Sequence, residues 1–67
     1  MAYVPHARDR MRQRGVQPRD VRHALSTAQA CRRQDNDRWR VDSIDLSGDE
    51  LTVVVVIEEG VLVVTVF

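Results

Sequence analysis

The chain has 67 residues, 43% of them apolar and 30% charged, with ten basic and ten acidic residues and a formal net charge of zero. That size and ratio describe one small globular domain and exclude the large enzyme folds, a disordered tail and a fibrous repeat. A single cysteine excludes an internal disulfide, and the longest unbroken apolar run, Val53 to Ile57, falls far short of the roughly 20 residues a membrane helix needs.

The N-terminus, Met1 to His6, has no basic segment followed by an apolar core, so no signal peptide and a cytoplasmic location are expected. Pro5 suits the first turn of a helix, where its missing N–H has no partner to lose. His6 to Arg14 follows with good helix formers and no β-branched residue. Gly15 stands where a left-handed C-cap is wanted, with Val16 as its hydrophobic contact. Pro18 opens a second helix, on which Val21, Ala24, Leu25 and Ala28 fall at i, i+3, i+4 and i+7, one apolar face. Residues 29–37 are polar, carry turn formers and read as a connection.

From Arg38 the pattern changes to strands. Arg38 to Leu46 carries Trp39 and Val41 on one face and Ile44 and Leu46 on the other, which a bulge near Asp42 or Ser43 would reconcile. Ser47-Gly48-Asp49 reads as a hairpin turn, Leu51 to Ile57 as a β-branched strand, Glu58-Glu59-Gly60 as a second turn and Val61 to Phe67 as a third strand. The expected fold is α+β: two N-terminal helices packed on a three-stranded antiparallel β-meander, in one domain spanning residues 1–67. Leu51, Val53, Val55 and Ile57 alternate with Thr52, Val54 and Val56, and Val61 and Val63 with Leu62, Val64 and Val66, so both sheet faces are apolar. Two short helices cover one of them. The other is expected to seat a second chain, most simply a copy of the same protein, giving a homodimer.

The zero net charge hides a segregation. Residues 1–40 hold all ten basic residues, every one an arginine, against four acids, a net +6; residues 41–67 hold six acids and no base, a net −6. A basic half suggests phosphate or an acidic partner, and arginine's planar fork suits phosphate. Arginine in place of lysine is equally what a compositionally biased genome produces.

The segment His6-Ala7-Arg8-Asp9-Arg10-Met11-Arg12-Gln13-Arg14-Gly15-Val16, the later Val21-Arg22-His23-Ala24-Leu25 and the closing Val63-Val64-Thr65-Val66 resemble the bacterial family called domain of unknown function 4258. Its pattern is a His-Ala pair, Arg-Met, Arg-Gly, a helix, a hairpin and a terminal Thr-Val strand, and the likeness covers nearly the whole chain. The family looks distantly similar to small RelE/ParE-type toxins, and the His-Ala-x-x-Arg start is similar to that of BrnT-type ribonuclease toxins. The resemblance implies a toxin-antitoxin role: a small RNase-like toxin acting on RNA, held by a cognate antitoxin.

Against that implication, His6, Arg10 and Arg14 recur every four residues and line one stripe of the first helix. Cleaving RNA without a metal needs a base for the 2′-OH proton, an acid for the leaving oxygen and cations for the pentacovalent phosphate. Histidine titrates near neutrality and arginine binds phosphate bidentately, so His6, Arg10 and Arg14 are the catalytic candidates. Thr65 joins them as a hydroxyl near a phosphate, or else fills the outer side of a strand. Equally, His6 orients the helix and the arginines form a solvated face. Trp39 between Arg38 and Arg40 suits RNA binding by base stacking, or else packs as a core tryptophan. His23, beside an apolar face, reads as structural, and Cys31 as a buried or inert thiol. His6, His23 and Cys31 are scattered, so no metal and no cofactor are expected. The function expected is a metal-independent endoribonuclease of toxin type. The alternative is a non-catalytic interaction or regulatory module that oligomerises through its sheet.

Overall fold

A computed structural model describes residues 1–67, apart from the side chain of Asn36. The elements run β1 (Ala2–Tyr3), α1 (Pro5–Arg14), α2 (Pro18–Ser26), β2 (Ala30–Arg33), a 3-10 turn (Asp35–Asp37), β3 (Arg38–Ile44), β4 (Glu50–Ile57) and β5 (Val61–Val66).

The helix boundaries follow local chemistry. Gly15 takes a left-handed φ of 66° just past α1. Its N–H donates to the Arg12 carbonyl at 3.3 Å and the Val16 N–H to the Met11 carbonyl at 2.8 Å. This is the paired closure of a Schellman motif, and Val16 and Met11 both lie in the core. At the start of α2 the Asp20 carboxylate accepts the Gln17 backbone N–H at 2.9 Å and, through its other oxygen, the Leu46 N–H at 3.2 Å. One side chain thus caps a helix and ties it to the β3–β4 turn.

The sheet has five strands in the order β1-β5-β4-β3-β2. β1 pairs parallel with β5, and every other pair is antiparallel. The expected three-stranded antiparallel meander is therefore corrected to a mixed five-stranded sheet within an α+β fold. The residues read as a connection supply β2, an edge strand in which Cys31, Arg32 and Arg33 are exposed, so no apolar alternation marks it. β1 is two residues long and is stopped by the helix that Pro5 opens.

The expected bulge near Asp42 or Ser43 is absent, because β3 and β4 keep one unbroken register from Arg38↔Val56 to Ile44↔Glu50. The irregularity lies between β4 and β5. Val54 faces Thr65 while Val55 faces Val63, which leaves Val64 as an extra residue on β5. The bulge carries Val66 onto the same face as Val63, and both are fully buried. Without it Val66 would lie on the opposite face, as simple alternation suggests.

The helices cover the face that carries Leu51, Val53, Val55, Val63 and Val66, to which Ala7 and Met11 of α1, Val21 and Ala24 of α2 and Val16 between them add the other half of the core. Ser43 occupies a buried position on this face, and its hydroxyl meets that of Thr27 at 3.2 Å, where α2 ends. The other face carries Arg38, Arg40, Asp42, Thr52, Val54, Val56, Thr65 and Phe67 with no helix above it. Among the described residues no helix is long and apolar enough to cross a membrane.

Candidate functional site

α1 buries Ala7 and Met11 and presents two basic stripes, one on each side of that buried seam. His6, Arg10 and Arg14 form the first. Arg8 and Arg12, displaced by two residues or roughly 200° of helix rotation, form the second.

On the first stripe, His6 is exposed and its side chain has no hydrogen-bond partner among the described residues. The N-cap, Val4, offers no side-chain acceptor, and the first turn holds no acid. The backbone N–H groups of His6 and Ala7 thus have no protein partner among the described residues. Arg10 is half-buried and donates its Nε–H to the Val66 carbonyl at 3.4 Å. The register explains that bond. Thr52 and Phe67 exchange both backbone hydrogen bonds, at 2.7 and 2.8 Å, so the neighbouring Val66 turns its carbonyl away from β4. It points to the side where the short β1 has already ended. Arg14 is exposed and reaches the Glu50 carbonyl at 3.5 Å. Thr65 pairs with Val54 on the face away from the helices. The structure therefore sets His6, Arg10 and Arg14 in line on α1 and places Thr65 on the far side of β5.

Arg38, Trp39 and Arg40 alternate across β3. Trp39 packs against the helix-side core and lines an apolar cavity of about 350 Å³ with Leu25, Cys31, Val55 and Ile57. Arg38 and Arg40 stand on the open face. The Arg40 guanidinium lies 5.2 Å from the centre of the Phe67 ring and its Nε–H donates to Asp42 at 3.1 Å. The Thr52 hydroxyl donates to the same carboxylate oxygen at 2.9 Å. These two donors, Thr52 first, hold the Asp42 carboxyl below its ordinary pKa. Arg32 faces Arg40 across β2 and β3, so two like charges share one row of the open face.

The second stripe borders a different feature. A cavity of about 360 Å³ is lined by Tyr3, Arg8, Met11, Arg12, Val16 and Pro18, where β1, α1 and the head of α2 meet. The Tyr3 hydroxyl is buried and has no hydrogen-bond partner among the described residues. Arg12 pairs with Asp9 at 3.2 Å, both side chains being largely exposed. Arg8 has no ion pair among the described residues.

His23 is half-buried on α2, and its carbonyl accepts the Ser26 and Thr27 hydroxyls at 2.9 and 2.8 Å. Cys31 is exposed rather than buried, because β2 is an edge strand. Among the described residues no group of three His, Cys, Asp or Glu stands close enough to hold a metal ion. Sequence reasoning overlooked Tyr3, Arg8 and Arg12 as a group, and Arg32 and Phe67 beside Arg40. The i, i+4 spacing of Arg8 and Arg12 was a usable signal for the first group. Nothing in the sequence marks a hydroxyl that will lack a partner.

Comparison with known family models matches the chain to the family described as Domain of unknown function (DUF4258), over residues 3–67. No curated protein matches, and no solved structure matches.

Proposed function

The chain belongs to the domain of unknown function 4258 family, and we propose that it is a small RNA-acting module of toxin type that cleaves RNA without a metal. The observation that carries this reading is the first stripe of α1: an exposed, unpartnered His6 at an open helix N-terminus, in line with Arg10 and Arg14. In the proposed reaction the neutral His6 imidazole takes the proton of an RNA 2′-OH. The oxygen attacks the adjacent phosphorus, and the O5′ of the next nucleotide leaves with a proton from solvent, giving a 2′,3′-cyclic phosphate. Helix-end N–H groups and the arginines support the extra negative charge of the pentacovalent phosphate. Arg10 uses its Nε–H on Val66 and one Nη on Gln13, which leaves its other Nη free to donate. The arginines of the two helices, Arg8, Arg10, Arg12 and Arg14 on α1 with Arg19 and Arg22 on α2, supply the field that draws RNA to this side. On this reading a cognate antitoxin is the restraining partner. Expression of the chain in bacteria tests it: growth arrest with RNA breakdown, lost on His6→Gln, supports the reading, and unaffected growth with intact RNA contradicts it.

A second reading rests on the open sheet face. Val56, Leu62 and Val64 are half-buried and Phe67 is exposed where no helix covers them. A homodimer formed there would make the chain an interaction module. Light scattering on the purified protein, with Leu62→Arg as the disrupting variant, separates dimer from monomer.

A further inference from the structure

The sheet face away from the helices divides into two lanes. Along β4 and β5 it is aliphatic: Val54 is buried, and Val56 pairs in register with Leu62, both half-buried with no helix above them. Sheets covered on both faces carry unbroken β-branched runs, and β4 carries one. Along β2 and β3 the face is cationic. Arg32 lies directly opposite Arg40, and Arg38 stands two residues from Arg40 on the same side. Like charges opposite each other weaken a sheet. Arg40 at least donates to Asp42 and stacks over Phe67. Arg32 and Arg38 have no ion pair among the described residues. Asp42 is already taken by Arg40 and Thr52, and Glu50, the other acid on this side of the strands, stands at the far end of β4.

We propose that this face docks an amphipathic helix of a second protein, its apolar stripe against Val54, Val56 and Leu62 and its acidic flank against Arg32, Arg38 and Arg40. The dimensions agree. A helix of about 10–12 Å diameter spans two strands at about 4.8 Å spacing, so one lying on β4 and β5 sets its flank beside β3 and β2. A second copy of this chain fits less well. Each copy brings three arginines and two acids to the face, and one of those acids already serves Arg40, so a self-pair leaves cations unmatched in the contact. A nucleic-acid strand also fits less well, because bases stack on aromatic rings and this lane is aliphatic. The docking is independent of His6 and of the cleavage proposed for α1.

The probe is a synthetic helical peptide with leucine at i, i+3, i+4 and i+7 and glutamate along one flank, titrated at low salt and followed by fluorescence anisotropy. It should bind saturably. Arg32→Glu and Arg38→Glu should each weaken it by roughly fivefold, the scale of one exposed ion pair. Arg32→Glu should at the same time leave the melting temperature unchanged or raise it, because it sets an acid opposite Arg40. Loss of binding without loss of stability separates docking from a structural role. Val56→Thr, which keeps the β-branched shape and adds a hydroxyl, should weaken binding as well. The same peptide with lysine for glutamate should prefer the variant carrying both arginine substitutions over the parent. Both arginines are exposed, so this charge swap decides the test even where Val56→Thr lowers stability. Absence of binding to the folded parent overturns the proposal, and so does binding that ignores all three substitutions. Binding that follows the arginines but ignores a folded Val56→Thr reports charge alone and overturns it too. An RNA oligonucleotide that displaces the peptide and depends on the same arginines gives the face to nucleic acid. A dimer by light scattering that Val56→Thr dissolves gives it to a second copy. Either result overturns the assignment to a partner helix.

Discussion

Arg10 on α1 donates to the main-chain oxygen of Val66 across 3.4 Å, so a helix side chain takes the place of a strand that does not extend that far. The bond fastens α1 to the end of β5, and it also fixes where the His6 stripe lies relative to the sheet. Arg10→Ala should lower unfolding free energy by about 1 kcal/mol, the net worth of one partly exposed hydrogen bond. In a domain this small that is a fall of roughly 4–8 °C in melting temperature. Arg10→Met, which keeps the stem without the donor, should lose a similar amount; urea titration of both variants checks this.

Gly15 offers a sharper local test. Its φ of 66° is left-handed, where a Cβ costs roughly 1–2 kcal/mol. Among the described residues, its two chain neighbours aside, no atom lies within 4 Å of that Cβ, so strain and not collision sets the penalty. Gly15→Ala should therefore destabilise by about 1 kcal/mol, and Gly15→Asn by less, as read from thermal unfolding.

Leu51 is 1% exposed at the centre of the helix-side core. Leu51→Ala should cost about 2–5 kcal/mol. The whole domain, at about 0.05–0.15 kcal/mol per residue, has roughly 3–10 kcal/mol to lose. Circular dichroism of the variant should show a substantially unfolded population at 37 °C.

Acid should weaken the fold through two carboxylates. Asp20 is held below its ordinary pKa by the N–H groups of Gln17 and then Leu46, and Asp42 by the Thr52 hydroxyl and then Arg40. A depressed folded-state pKa means that the unfolded chain binds its proton first. The contribution is complete above the reference value of 3.8 and disappears as pH falls below it. Asp20→Asn and Thr52→Val should each flatten the decline of stability as pH falls through and below 3.8, measured by urea unfolding across that range. An unchanged slope in both would contradict the assignment.

How far these elements were legible depended on what each residue had to bury. The α1 terminus was readable because Gly15 and Val16 form a local motif that needs no tertiary partner. β4 was readable from its β-branched run. β2 was not, because an edge strand with Cys31, Arg32 and Arg33 exposed has no face to mark it. The Val64 bulge was hidden because Val63, Val64 and Val66 are apolar on either register. The break after Val41 suggested a bulge in β3. In fact Ser43 takes the next inward position because Thr27 supplies its hydroxyl with a partner. The His6, Arg10 and Arg14 stripe was visible from helical spacing alone. The opposite placement of Trp39 and its flanking arginines follows from strand alternation, and the Tyr3 cavity required the full chain.

The most direct test of the central claim is cleavage of a defined RNA by the purified protein in the presence of a metal chelator. The account predicts cleavage that leaves 2′,3′-cyclic phosphate ends and is lost on His6→Gln, while the variant keeps the melting temperature of the parent because His6 is exposed and makes no side-chain bond. Cleavage that His6→Gln does not change, or an intact RNA after prolonged incubation with folded protein, would contradict it.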